Sequence, residues 1–167
     1  MCRTDQQRFL FQNTHLMYHL IVTHSVLRYL VLLSMLLVIY LAWEGLILKK
    51  PYTRLHRLVT SSASGISHLQ LMVGFVLYFF SPTAQSFWQN KSLRWSDGLF
   101  FALVHFGLMS AAIVILTVGA ALAKREADER RKFRILFNYF VLALFIILVA
   151  IPWPFSPLAQ RPWFRSF

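Results

Sequence analysis

Apolar residues gather into four stretches, each bounded by charge or proline. Each is long enough to cross roughly 30 Å of hydrocarbon, which takes about 20 helical residues. The first runs from about Leu16 to Leu48, longer than a perpendicular crossing needs, which predicts a tilted helix or an interfacial start. The second runs from about Leu58 to Phe80 and is stopped by Ser81 and Pro82. The third covers about Gly98 to Ala123, and the fourth about Phe133 to Ile151, ended by "PWPF". No alternating strand pattern and no soluble domain is left over. Residues 1–167 therefore read as a single all-α transmembrane domain, a four-helix up-down bundle. The first run carries His24 and Arg28 and ends in Lys49 and Lys50 without a small-x-small site, which predicts a retained span rather than a cleaved signal.

Composition agrees. Of 167 residues, 57% are hydrophobic and 14% charged, against roughly 25% charged in a soluble domain. The net charge of +11 would suit nucleic acid, but no nucleic-acid-binding motif accompanies it. In a membrane chain it marks loops and anionic lipid contacts instead, which makes the bilayer the expected partner. Lys49, Lys50, Arg54 and Arg57 fill the first connection; Lys124, Arg125, Arg130, Arg131, Lys132 and Arg134 fill the third. Arg3 and Arg8, Lys91 and Arg94, and Arg161 and Arg165 are the sparser set on the other side. The positive-inside bias then puts both termini on the non-cytoplasmic side of a bacterial inner membrane, with Trp88, Trp95, Trp153 and Trp163 as an outer aromatic belt. The single cysteine, Cys2, excludes an internal disulfide and a multi-cysteine cluster.

The ionisable residues inside the spans carry the functional signal, because such groups are costly in lipid and by default face the bundle interior. His24 and Arg28 lie on the first span, His68 on the second and His105 on the third. Counted from Thr14 or His15, Tyr78 and Trp95 as interfacial residues, each histidine lies about 15 Å deep, so the three are expected at one level. Gly65, one turn before His68 in "TSSASGISH", and the face Ala102–His105–Met109–Ala112 leave room beside them. Small residues also serve plain helix packing, and a histidine can be a simple interhelical hydrogen bonder.

Imidazoles on facing helices of a dry bundle suit haem, whose iron takes two axial nitrogens from opposite sides of the porphyrin. In an up-down bundle the first and third helices lie diagonally, so His24 and His105 are the expected axial pair. Arg28, one turn deeper than His24, is the expected partner of a haem propionate. It could instead bind a quinone oxygen, snorkel, or pair with Glu44. His68 is a third candidate ligand or a hydrogen-bond donor to cofactor or quinone, with Gln70 pointing to another face. His15 and His19 could form a surface metal site but read first as interfacial side chains, and His56 has no opposing histidine for a second haem. No Walker loop, GxSxG, HExxH or transporter repeat is present, and no catalytic residue is assigned.

The segments "THSVLRYLVLL", "SHLQLMVGFVLYFFSP", "VHFGLM" and "IPWPF", in that order from about His19 to Phe155, resemble small four-helix bacterial membrane proteins described as cytochrome b-like. The resemblance implies a b-type haem or an electron-transfer role, with His24, His68 and His105 in the motif positions. In that pattern an acidic residue precedes the third-span histidine; here it is Val104, so the resemblance does not carry a proton relay to that place. The expectation is a haem b protein relaying electrons to or from a quinone or a partner respiratory subunit. The alternative is a haem-free accessory subunit of a larger membrane complex.

Overall fold

The computed structural model describes residues 2–91 and 93–162, with side chains described from Leu16 onward. Trp163, Arg165 and the side chains of Arg3, Arg8 and His15 therefore lie outside the described residues. Five helices and no strand occur among the described residues. They are α1 (Cys2–Ile47), α2 (Arg54–Phe80), α3 (Pro82–Asn90), α4 (Asp97–Arg125) and α5 (Glu129–Ala150). Four are long and apolar enough to cross a membrane: Leu16–Ile47 within α1, and all of α2, α4 and α5.

Local chemistry sets the boundaries. Asp128 caps α5 by accepting the Arg131 amide, and Ser96 caps α4 by accepting that of Leu99. His56, three residues into α2, accepts the Thr53 amide at 3.0 Å and so closes the start of that helix. Pro82 ends α2 and opens α3, where its missing N–H is no loss. The amphipathic α3 was not among the expected elements; it is a nine-residue turn of chain between two spans.

The four spans form a closed ring in which α1 touches α2 and α5, and α4 touches α2 and α5, leaving α1 and α4 as one diagonal. Between helices in lipid, association rests on close packing rather than on a hydrophobic drive. Gly45 and Gly119 show it. A Cβ on Gly45 would stand 2.5 Å from the Phe133 ring, and one on Gly119 would overlap Tyr139. The core runs through Met35, Val38, Ala42, Leu116, Leu136, Phe140 and Ala143, all buried. Leu33, Val114 and Phe145 are exposed on the outside, as lipid-facing residues should be.

Each end of the ring has its own polar closure. At one end, which we call the basic end, Tyr52 stacks on His56 and meets Phe133, Lys132 lies over the Tyr52 ring, and Lys50 pairs with Glu44 at 2.8 Å. Glu44 is thus the partner of Lys50, not of Arg28. Burial pushes the Tyr52 phenol above its ordinary value, so it stays protonated. At the other end the chain after α5 folds back as a strap over residues 151–162. There Trp95 Nε1 donates to the Leu158 carbonyl, and Arg161 pairs with Asp97.

Candidate functional site

At the strap end the apolar packing gives way to a cavity of about 300 Å³, at the lower end of the range for ligand pockets. His24, Arg28, His105 and Met109 all line it. The rings of His24 and His105, brought from the α1–α4 diagonal, have centroids 6.4 Å apart at an interplanar angle of 64°. A larger surface depression of about 760 Å³ around Ser86, Asn90 and Asp97 contains neither histidine.

His105 sits at the end of a wide π-helical stretch, Phe100–His105, inside α4. A π turn shifts the register of the residues after it, and such turns gather at functional sites. Its Nδ1–H donates to the Ala150 carbonyl at 2.8 Å. Ala150 is the last residue of α5, where carbonyls lack an intrahelical partner. In the neutral ring this bond leaves Nε2 bare as an acceptor, the arrangement that orients a metal-binding imidazole. Phe100 and Phe101 flank the ring at 5.8 Å.

His24 is placed differently. Its carbonyl accepts a 2.9 Å hydrogen bond from Gln70 Nε2, which fastens α2 to α1 at this level. Its Nδ1 is buried and has no partner among the described residues, and neither has Gln70 Oε1, which lines the same cavity. Buried polar atoms are nearly always satisfied, so two such atoms on the wall of one cavity mark it as a candidate binding site. Gly74 faces the His24 ring, and a Cβ there would come to 3.4 Å of its Cε1. Arg28 reaches the same cavity. Its Nη2 donates to the Tyr29 hydroxyl at 3.0 Å, and its guanidinium lies near the Tyr29 and Trp153 rings, at 4.8 and 5.7 Å.

His68 and Gly65 are not brought to this site. His68 is exposed on α2; its Nδ1–H donates to the Ser64 carbonyl, and Nε2 lies 3.3 Å from the Thr117 hydroxyl. Thr117 is twelve residues beyond His105 on α4, about 18 Å along the axis. The three histidines do not share one level. Gly65 is exposed, with open space where a Cβ would be. Gln70, expected on another face, lines the cavity instead. The reason is helical phase: positions 67, 70, 71 and 74 share the inward face, which leaves 65 and 68 outside.

Among the described residues no group of three or more His, Cys, Asp or Glu side chains could hold a metal ion. The spacing of His24 and His105 would admit one metal ion between the two imidazoles. Imidazole–metal bonds of about 2.0 Å on both sides would set the ring centres roughly 6 Å apart, close to the observed spacing. No protein-family model, curated protein or solved structure matches the chain.

Proposed function

We propose that this protein is a membrane-embedded b-type haem protein that relays electrons, with His24 and His105 as the residues that would hold the iron. The reading rests on one observation above the others: two imidazoles from diagonal helices, 6.4 Å apart, one with its Nδ1 proton committed to a backbone carbonyl. The resemblance of the sequence to cytochrome b-like membrane proteins points the same way. A bound haem b supplies a one-electron ferric/ferrous couple.

The chain's own residues do the rest. His105 is oriented by Ala150, and His24 is held at the Gln70 crossing. Phe101 and Phe106 line the α4 side of the cavity, Phe100 packs against the His105 ring, and Met109 lies one turn beyond His105. Arg28 places a positive charge in the cavity wall, which favours the reduced form of any redox centre beside it. The electron partner in this reading is a quinone or a respiratory subunit.

The spans run up and down through a bacterial inner membrane with both termini outside, a topology supported by the basic residues collected at the Tyr52–Lys132 end. A phosphatase fused after Phe167 should then be active and a fluorescent protein there dark; the reverse pattern inverts the bundle.

Protein purified from haem-replete cells should be red, with a Soret band that shifts on dithionite reduction and a b-type pyridine hemochrome. Colourless protein sinks the reading. A second reading, a haem-free accessory subunit of a larger membrane complex, draws on His68, an ionisable side chain on the outside of a span where lipid disfavours it. Colourless protein that co-purifies with redox subunits would favour that one.

A further inference from the structure

The sequence assigns Arg28 to the ligand's carboxylates, but a second arginine lines the same cavity. Arg161 stands on the strap, beyond the last span, in a wall that includes Pro152, Pro162 and the start of α3. The strap is well held: Ile151, Ser156 and Ala159 are buried, and Trp95 Nε1 donates to the Leu158 carbonyl at 2.9 Å. Arg161 itself is fixed by a 2.6 Å bond from Nη2 to Asp97 and by its guanidinium lying 5.1 Å over the Phe101 ring. Phe101 in turn contacts the His105 ring at 5.8 Å. One aromatic ring therefore bridges the arginine and the candidate iron ligand.

Resting on the haem reading above, we infer that Arg161 is the anchor for the ligand's two carboxylates, which lie toward the strap rather than at Arg28. Carboxylates lose much hydration in a dry interior and are best received where water still reaches. The Arg161 side chain retains 29% of its exposure. A guanidinium has five N–H donors in a rigid fork. Among the described residues two are in use, on Asp97 and on the Gln160 carbonyl, so the fork keeps donors for an anion while Asp97 holds it in place. Arg28 instead donates from Nη2 to the Tyr29 hydroxyl, with its guanidinium 4.8 Å from the Tyr29 ring centroid and 5.7 Å from that of Trp153.

The test titrates apoprotein in lipid nanodiscs with haemin and with haemin dimethyl ester, whose carboxylates are blocked, following the Soret band. Wild type should bind haemin at least about tenfold more tightly than the ester, the difference expected of a charge-assisted hydrogen bond. Arg161→Gln should bind both equally, at the ester's affinity, while Arg28→Gln keeps the preference. Arg161→Lys, which keeps the charge and loses the fork, should recover part of it and guards against a folding artefact. Preference lost in Arg28→Gln and kept in Arg161→Gln would place the carboxylates at Arg28 and overturn the inference. So would wild type that binds acid and ester alike. Wild type that binds neither porphyrin refutes the haem reading itself, and the anchor falls with it.

Discussion

At the basic end Gly45 lets α1 close onto the Phe133 ring and Gly119 lets α4 close onto Tyr139. At the strap end a cavity lined by His24 and His105 opens between the same helices, with buried His24 Nδ1 and Gln70 Oε1 unpartnered among the described residues. Same helices, opposite treatment of space. The basic half uses small residues to bring backbones together, which is what stabilises helices in lipid. The strap half gives up packing and leaves polar atoms unsatisfied, a loss of about 1–3 kcal/mol for each such atom. A fold tolerates that where a ligand later supplies the missing contacts.

The largest effect should come from the pair itself. His24→Ala and His105→Ala should each abolish haem incorporation, read as absence of the Soret band in purified protein of normal helicity. His68→Ala should keep it, since His68 lies outside the cavity. Low-spin bis-histidine signals that survive in His105→Ala but vanish in His68→Ala would move the ligand pair to the first two spans and break the contrast between the two halves.

Deleting one residue of the π stretch, for instance Ala102, comes next. It should let Phe100–His105 relax to regular α-helix and turn the preceding part of α4 by about 100° against the rest. His105 and the Ala150 carbonyl then lose their register, and haem content should fall by about tenfold or more while far-ultraviolet dichroism stays unchanged. Deletion of Val118, in the packed half, is the matched control: it should disturb assembly of the bundle first. Equal haem content in the Ala102 deletion and wild type would mean that the π turn does not aim His105.

How much of this is legible in the sequence depends on what each feature needs. The spans are legible because a run of apolar residues registers in any window: the expected ends at Leu58, Phe80, Ala123 and Ile151 fall within four residues of the observed ones. His24 and His105 are legible because lipid makes any ionisable residue conspicuous. Gln70 and His68 are exchanged, because helical phase over a long span accumulates error and both residues sit only two apart. The π turn has no composition signal at all. The Ala150 acceptor is a backbone atom and carries no side-chain signature, and the strap lies in a Pro- and aromatic-rich tail that reads simply as the end of the last helix.

A packing test sharpens the comparison at smaller scale. Gly119→Val should destabilise the protein by about 1–3 kcal/mol, because its side chain must displace Tyr139 from a filled interface. Gly65→Val, where nothing stands within 4 Å, should stay within about 0.5 kcal/mol of wild type. Denaturation in mixed micelles measures both. A large loss in Gly65→Val would show that its open face is covered in the native membrane, as the accessory-subunit reading requires.

The smallest effect concerns Arg28. A fixed positive charge beside a redox centre stabilises the form with one more electron, so its removal should lower the midpoint potential. At an effective dielectric constant near 20 and a separation of about 10 Å, Coulomb's law gives on the order of 1–2 kcal/mol. Screening at the half-open cavity reduces that to about 1 kcal/mol, or roughly 40 mV for one electron. Arg28→Leu should therefore lower the potential by tens of millivolts without loss of haem, and Arg28→Lys should restore most of it. Arg57→Leu, at the far basic end on α2, is the comparison. Its charge lies well beyond a Debye length of about 8 Å from the cavity, and the potential should not move. A midpoint that responds equally to both variants would mean that the field at the cavity is set by the whole basic surface, and the two ends would no longer be electrically separate.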